Sequence, residues 1–324
     1  MKKIGVFTSG GDAPGMNAAL RAVVRGCIYY GIEVYGIRYG YKGMIEGDII
    51  PLNSHSVSNI IQRAGTVLKS ARCQEFREPE GRKKAFDNLK KFGIDALIAI
   101  GGDGTFTGAK VFFEEHAIPV IGIPGTIDND IYGTDKTIGF DTAVNTALSA
   151  VDNIRDTADS HDRVFFIEVM GRDSGYIAIQ SGIGGGAEMV MVPETKTTIN
   201  EVIEALQKGW SRSKTSSIVV IAEGDEEGNA FEISEKVKAR VKDLKDIRVT
   251  ILGHVQRGGT PTAQDRILAS RLGLSAVEGL RDGKSGVMVG VINDEVTFTS
   301  FGDSITKQKP LNKDLIRMVE ILSI

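Results

Sequence analysis

The chain has 324 residues, a formal net charge of −3 and two cysteines. That length suits one large or two medium domains with ample cores, and the charge balance gives no basic footprint for nucleic acid. Cys27 and Cys73 support neither a disulfide framework nor a zinc site, and no apolar run is long enough to cross a bilayer, so a cytoplasmic protein with no membrane partner is expected.

In chain order, Lys2 and Lys3 precede an apolar stretch that Thr8 to Asp12 interrupt, too early for a signal peptide. Short apolar runs bounded by glycine then read as buried strands at 4–7, 34–37, 96–100, 120–123, 164–169, 189–192, 218–222 and 249–252. Between them lie helical patterns. Leu20, Val23, Val24, Cys27 and Ile28 form one apolar stripe, and Val144, Ala147, Leu148, Val151 and Ile154 another. The stretch 139–160 reads as one long helix, and the charged 224–246 region as surface helix and loop. This alternation predicts an α/β fold of two doubly wound domains with mainly parallel sheets.

Two loops of matching chemistry follow strands. Thr8-Ser9-Gly10-Gly11-Asp12-Ala13-Pro14-Gly15 leads into the Leu20 helix, and Gly101-Gly102-Asp103-Gly104-Thr105 repeats the arrangement. Glycine lets a backbone approach an anion, and a helix N-terminus supplies N–H groups and partial positive charge. A purely steric turn is the alternative. Asp103 is the metal candidate, since a carboxylate beside phosphates suits magnesium; helix capping is its plainer reading. The Gly-x-x-x-x-Gly-Lys-Ser/Thr pattern is absent, as is a Gly-x-Gly-x-x-Gly turn with a later acidic residue. In Pro124-Gly125-Thr126-Ile127-Asp128-Asn129-Asp130 a period of two would turn Thr126, Asp128 and Asp130 to one side, where they could accept a proton, hold a metal ion and donate to phosphate. A polar turn is the competing explanation.

These two loops and the heptapeptide occur in order with Arg72, Met170-Gly171-Arg172 and Leu252-Gly253-His254-Val255-Gln256-Arg257-Gly258-Gly259. The set resembles bacterial 6-phosphofructokinase from the N-terminus to about Leu280. The resemblance implies transfer of the ATP γ-phosphoryl group to the 1-hydroxyl of fructose 6-phosphate. It makes Asp128 the base, Asp103 the magnesium ligand with Asp130 assisting, Thr126 a donor to the moving phosphoryl group, and Arg72 and Arg172 its countercharges. It builds the nucleotide site from Gly11, Tyr41, Arg72, Cys73 and Gly102, Asp103, Gly104 and Thr105. Pyrophosphate-dependent relatives carry Asp where Gly104 stands and Lys where Gly125 stands, so both positions imply ATP.

The same resemblance assigns the sugar to Thr126, Ile127, Asp128, Met170, Gly171, Arg172 and Glu223, the last expected to be buried at a strand end. Arg163, Arg248, His254 and Arg257, with Val255 and Gln256 between, would hold its 6-phosphate, Arg163 and Arg248 coming from a neighbouring subunit of a homotetramer. Arg21 and Arg25, four apart on one helix, join Arg155, Gly186, Glu188, Arg212 and Lys214 in an implied effector site for ADP and phosphoenolpyruvate. Ser54 and Ser213-Lys214-Thr215-Ser216 leave that set with fewer cations than familiar members. The expected domains are 1–138 plus about 252–305 for ATP, and 139–251 plus about 306–324 for the sugar and effectors. Rival readings are a kinase of another phosphorylated sugar or of NAD, and a nucleotide-sensing regulator without turnover.

Overall fold

The computed structural model describes residues 1–160, 163–211, 216–241 and 246–322. One unit comprises Met1–Ile127, Ile131–Thr142 and Arg257–Lys309, and the other Asp128–Asp130, Ala143–Gln256 and Pro310–Ile324. The first contains β1 (Lys3–Thr8), α1 (Met16–Tyr29), β2 (Glu33–Ile37), α2 (Tyr41–Glu46), β3 (Ile49–Leu52), α3 (Pro79–Phe92), β4 (Ala96–Gly101), α4 (Asp103–His116) and β5 (Val120–Pro124). Helix α5 (Phe140–Asp159) leads into the second, with β6 (Val164–Val169), α6 (Tyr176–Gly184), β7 (Met189–Met191), α7 (Ile199–Ser211), β8 (Ser217–Ala222), α8 (Ala230–Arg240) and β9 (Ile247–Ile251). The chain returns to the first unit for α9 (Ala263–Arg281), β10 (Val287–Ile292), β11 (Glu295–Ser300) and α10 (Phe301–Thr306), and ends in the second with α11 (Lys313–Leu322).

The first unit's sheet has seven strands in the order β11-β10-β5-β4-β1-β2-β3, parallel except at its two antiparallel edges. All six residues of β4 are buried, as a strand covered on both faces requires. Phe7, Leu89, Phe106, Phe112 and Phe301 fill its core. The second unit's four strands run β7-β8-β6-β9, all parallel, with Phe166, Ile199, Leu206, Ile221 and Ile233 packed on them. No helix among the described residues is long and apolar enough to cross a membrane.

The strand-helix alternation read from sequence is the architecture observed, with three further strands. β3 is a short edge strand containing Pro51, which an edge tolerates and an apolar pattern hides. β10 and β11 form a hairpin whose turn residues, Asn293 and Asp294, both take left-handed φ of 51 and 63°. The α1 stripe stops at Cys27, and Ile28 is exposed. The return to the first unit falls at Arg257 instead of about 252, because Gln256 bonds Met170 while Arg257 bonds Asp12. The last crossing comes at Pro310 and not near 306, since Gln308 bridges Ile131 and Lys309 Nζ donates to Asp135 O at 2.7 Å, both within the first unit.

One ion pair inside the first unit gives a pH signature. Buried Arg82 on α3 grips Glu115 on α4 through two contacts of 2.6 Å. The Arg82 hydrogen bond holds the Glu115 carboxyl below its usual pKa. The folded value is thus the lower one, so the pair's stabilisation is full above the unfolded pKa of about 4.3 and fades as pH falls through the folded value. Glu115→Gln should cost about 1–2 kcal/mol at pH 7. Thermal unfolding across pH should show the gap closing below about pH 4; a constant gap would refute the assignment.

Candidate active site

The strand order of the first unit fixes where a ligand can enter. From β1 the chain moves outward through β2 and β3, then returns to place β4 on the other side of β1. Ligands in open parallel sheets bind beyond the strand C-termini at such a reversal. Both glycine turns start there, since Thr8 at the end of β1 pairs with Ile100 near the end of β4.

Each turn opens a helix whose N-cap is a glycine with no side-chain cap bond: Gly15 for α1 and Gly102 for α4. Met16 N donates to Ala13 O and Thr105 N to Gly102 O, so the positive end of each helix dipole and the remaining first-turn N–H groups are what these turns offer an anion. Asp103 is exposed at the first position of α4 and its Oδ1 accepts from Gly104 N at 2.8 Å. A Cβ placed on Gly104 would meet nothing within 4 Å, so packing gives no reason for glycine there. At Gly125 packing does give one. A Cβ would lie 3.0 Å from Met16 Cε and 3.3 Å from Ile100 Cγ2, so this glycine does not discriminate donors by itself.

The residues expected at the nucleotide site differ in their exposure. Tyr41 is a core residue, stacked on Phe76 at 3.9 Å, and burial pushes its phenol pKa up. Its hydroxyl donates to Thr105 O at 2.6 Å, so it braces the second glycine turn. Thr105 itself is buried, Arg72 is exposed and Cys73 is half-buried against the core. Arg257, expected with the sugar phosphate, lies in the first unit with its guanidinium against Gly11 and Nη1 3.4 Å from Asp12 O.

The heptapeptide does not keep a period of two. Extended backbone ends with β5 and the Gly125 bridge, residues 127 and 128 bend, and Asn129 turns left-handed at φ 54°. Thr126 belongs to the first unit, its carbonyl accepting from Thr137 Oγ1 at 2.7 Å. Ile127 is fully buried beside Gly139, leaving only its backbone for a substrate. Asp128 and Asn129 are buried, with Asp130 half-buried, and all three group with the second unit. There Ser174 Oγ donates to Asp128 O at 3.0 Å. This buried serine was not singled out from sequence, where nothing distinguishes it.

The second unit repeats the switch-point logic, for β7 and β8 lie on one side of β6 and β9 on the other. Met170 to Arg172 follow β6, Glu223 follows β8, and the 3₁₀ helix Gly253–Arg257 follows β9. Gln256, fully buried, accepts from Met170 N through Oε1 at 2.8 Å, joining the ends of β6 and β9. Glu223 is exposed, not buried as expected; its Oε1 accepts from Arg172 N at 2.7 Å and Gly171 N at 3.4 Å, joining β8 to β6. Exposed Arg172 is thereby held at a left-handed φ of 56°, a conformation that persists where surroundings impose it. His254 and Val255 are exposed.

Arg163 and Arg248 lie at the other end of this sheet. Arg163 immediately precedes β6 and Arg248 is the second residue of β9; both contact Asp246 Oδ2, at 3.2 and 2.7 Å. Six strand residues span roughly 20 Å, so within one chain these arginines and His254 cannot share a phosphate.

Of the effector set, Arg21 and Arg25 lie on α1 in the first unit, where burial and then the like charge of Arg25 lower the Arg21 pKa. Arg155 of the second unit donates to Gly185 O, and to Gly186 O at 2.7 Å. Buried Glu188 accepts from Ile218 N. Arg212 and Lys214 lie outside the described residues.

Comparison with known proteins adds the family. The phosphofructokinase family model matches residues 3–280. A protein of Cytophaga hutchinsonii named ATP-dependent 6-phosphofructokinase is 61% identical over 323 residues, 100% of this chain and 98% of that protein. ATP-dependent 6-phosphofructokinase 1 of Thermus thermophilus is 57% identical, with both chains covered in full. Among solved structures, phosphofructokinase from Saccharomyces cerevisiae superposes with a TM-score of 0.89 at 35% identity, covering 100% of this chain and 47% of the yeast chain. The family-wide match and these full-length similarities lead to one conclusion: the chain belongs to the phosphofructokinase family.

Proposed function

We propose that this protein transfers the γ-phosphoryl group of ATP to the 1-hydroxyl of fructose 6-phosphate, giving fructose 1,6-bisphosphate and ADP in glycolysis. The observation that carries this reading is the pair of helix-opening glycine turns at the strand reversal, with open space at Gly104 for a nucleotide's phosphates. The named relatives supply the donor and acceptor.

Phosphoryl transfer asks mainly for positioning and charge neutralisation around a loose transition state. Asp128 accepts the proton of the 1-hydroxyl; an ionised carboxylate is a weak base, which suffices where deprotonation is late. Ser174 holds the Asp128 peptide, so the base is presented from a fixed backbone. Thr126 donates to the moving group, and Arg72 and Arg172 offset its charge. Gly11, Cys73 and the turn from Gly102 to Thr105 hold the nucleotide, with Tyr41 acting through Thr105. Among the described residues no group of three or more His, Cys, Asp or Glu forms a metal cage. An exposed Asp103 fits the manner of magnesium, which uses one or two carboxylates plus phosphate oxygens and water; Asp130 assists. Magnesium bound there would neutralise charge on the β- and γ-phosphates.

The sugar lies on Met170, Gly171, Arg172 and Glu223, with His254 at its 6-phosphate. Arg163 and Arg248 act on a neighbouring subunit's site, which their place at the opposite sheet end supports. On this reading the protein is a cytoplasmic homotetramer with shared sites, with ADP and phosphoenolpyruvate as effectors at Arg21, Arg25, Arg155, Gly186 and Glu188. Co-expressing Asp128→Asn with Arg248→Ala chains should restore activity well above either variant alone, because some hybrid sites hold both native residues. Activity no higher than the sum of the parents would rule out sharing.

ADP release measured against a panel of acceptors tests the function. Fructose 6-phosphate should be strongly preferred over other phosphorylated sugars and NAD. Equal turnover of another acceptor would favour the rival kinase, and none at all the nucleotide sensor.

A further inference from the structure

The segment 63–73, which carries Arg72, forms no helix or strand, so its backbone depends on outside partners. Asn17, the second residue of α1, is 1% exposed and supplies three of them, while Tyr39 N donates to Leu68 O at 2.8 Å. Its Nδ2 donates to Arg63 O at 3.0 Å and Ala64 O at 3.3 Å, and its Oδ1 accepts from Val67 N at 2.9 Å. Both donor hydrogens and the acceptor are therefore spent on one distant stretch of chain.

Two hydroxyls continue the attachment. Thr8, fully buried at the end of β1, donates to Lys69 O at 2.9 Å while its oxygen lies 2.8 Å from Thr66 Oγ1. Ser70 Oγ donates to Gly10 O at 2.5 Å, tying the segment to the first glycine turn itself. All of these residues belong to the first unit. Arg72 follows Ser70 by two residues, so its origin is set by the same bonds.

We infer that Asn17 is a positioning residue that sets Arg72 against the first glycine turn by holding segment 63–70. The inference rests on the reading of Arg72 as a countercharge to the moving phosphoryl group. A helix residue whose side chain is consumed in this way governs geometry without touching substrate, and displacement of about 1 Å at a transferring group can cost on the order of a hundredfold in rate.

The test is a double-mutant cycle between Asn17→Ala and Arg72→Ala, read as kcat with ATP and fructose 6-phosphate, alongside circular dichroism. Asn17→Ala should lower kcat at least about tenfold in folded protein. Adding Arg72→Ala should then cost far less than it costs in the wild type, since residues acting as a unit are not additive. Should Asn17→Ala fail to fold, Thr8→Val removes only a hydroxyl from the same attachment and should show the same non-additivity. A folded variant within twofold of wild-type kcat, or a fully additive cycle, overturns the inference alone. Wild-type kcat in Arg72→Ala by itself overturns the reading of Arg72 and the inference with it.

Discussion

Asp128→Asn should lower kcat by about 10²–10⁴-fold while ATP binding stays near its wild-type strength, the range expected for losing a positioned general base. The substitution keeps the shape of a buried side chain while removing its negative charge and its basicity. Ser174 anchors the carbonyl of residue 128, so the backbone should not move when the side chain changes. The same anchor steadies an irregular turn, which the left-handed Asn129 redirects directly afterwards. Steady-state rates with direct nucleotide titration check the result. A loss under about tenfold would place proton acceptance elsewhere, and lost ATP binding would make Asp128 part of the nucleotide site.

Gly104→Asp should abolish measurable turnover with ATP and leave the fold intact. Among the described residues, nothing beyond its chain neighbours and the backbone of its own helix lies within 4 Å of the added Cβ, and an acidic residue in the first turn of α4 favours the helix dipole. The cost would fall on the ligand, because a second carboxylate beside Asp103 faces the triphosphate, and like charges brought together cost several kcal/mol, roughly a hundredfold or more in affinity. Gly125→Lys would be a poorer probe. It presses on Met16 and Ile100, so lost activity could reflect displaced core packing. ATP saturation curves and thermal unfolding of Gly104→Asp together decide; an unchanged Michaelis constant would remove Gly104 from the nucleotide site.

What the sequence displayed was local and periodic. Apolar runs bounded by glycine exposed the central strands, because strands buried on both faces carry little else. Edge strands β3 and β11 need only half an apolar face, and Pro51 further masked the first. Motif spacing brought out the glycine turns and the 124–130 stretch. It could not show that Asn129 leaves the extended region, since one positive φ in an asparagine depends on surroundings. Nor could it reveal Arg257 against Gly11 or the split between Gln256 and Arg257, which are tertiary facts about neighbouring residues. Asn17 carried a faint signal, a lone amide in the buried run from Met16 to Leu20. The amide's partners lie about fifty residues away, beyond any helical or strand period.

On the proposed function, a nucleoside triphosphate held by the two glycine turns is the phosphoryl donor. A coupled assay on fructose 6-phosphate with ATP and pyrophosphate run side by side measures this directly. Saturable formation of fructose 1,6-bisphosphate with ATP and only background with pyrophosphate is the expected result. Turnover with pyrophosphate equal to or above that with ATP would contradict it.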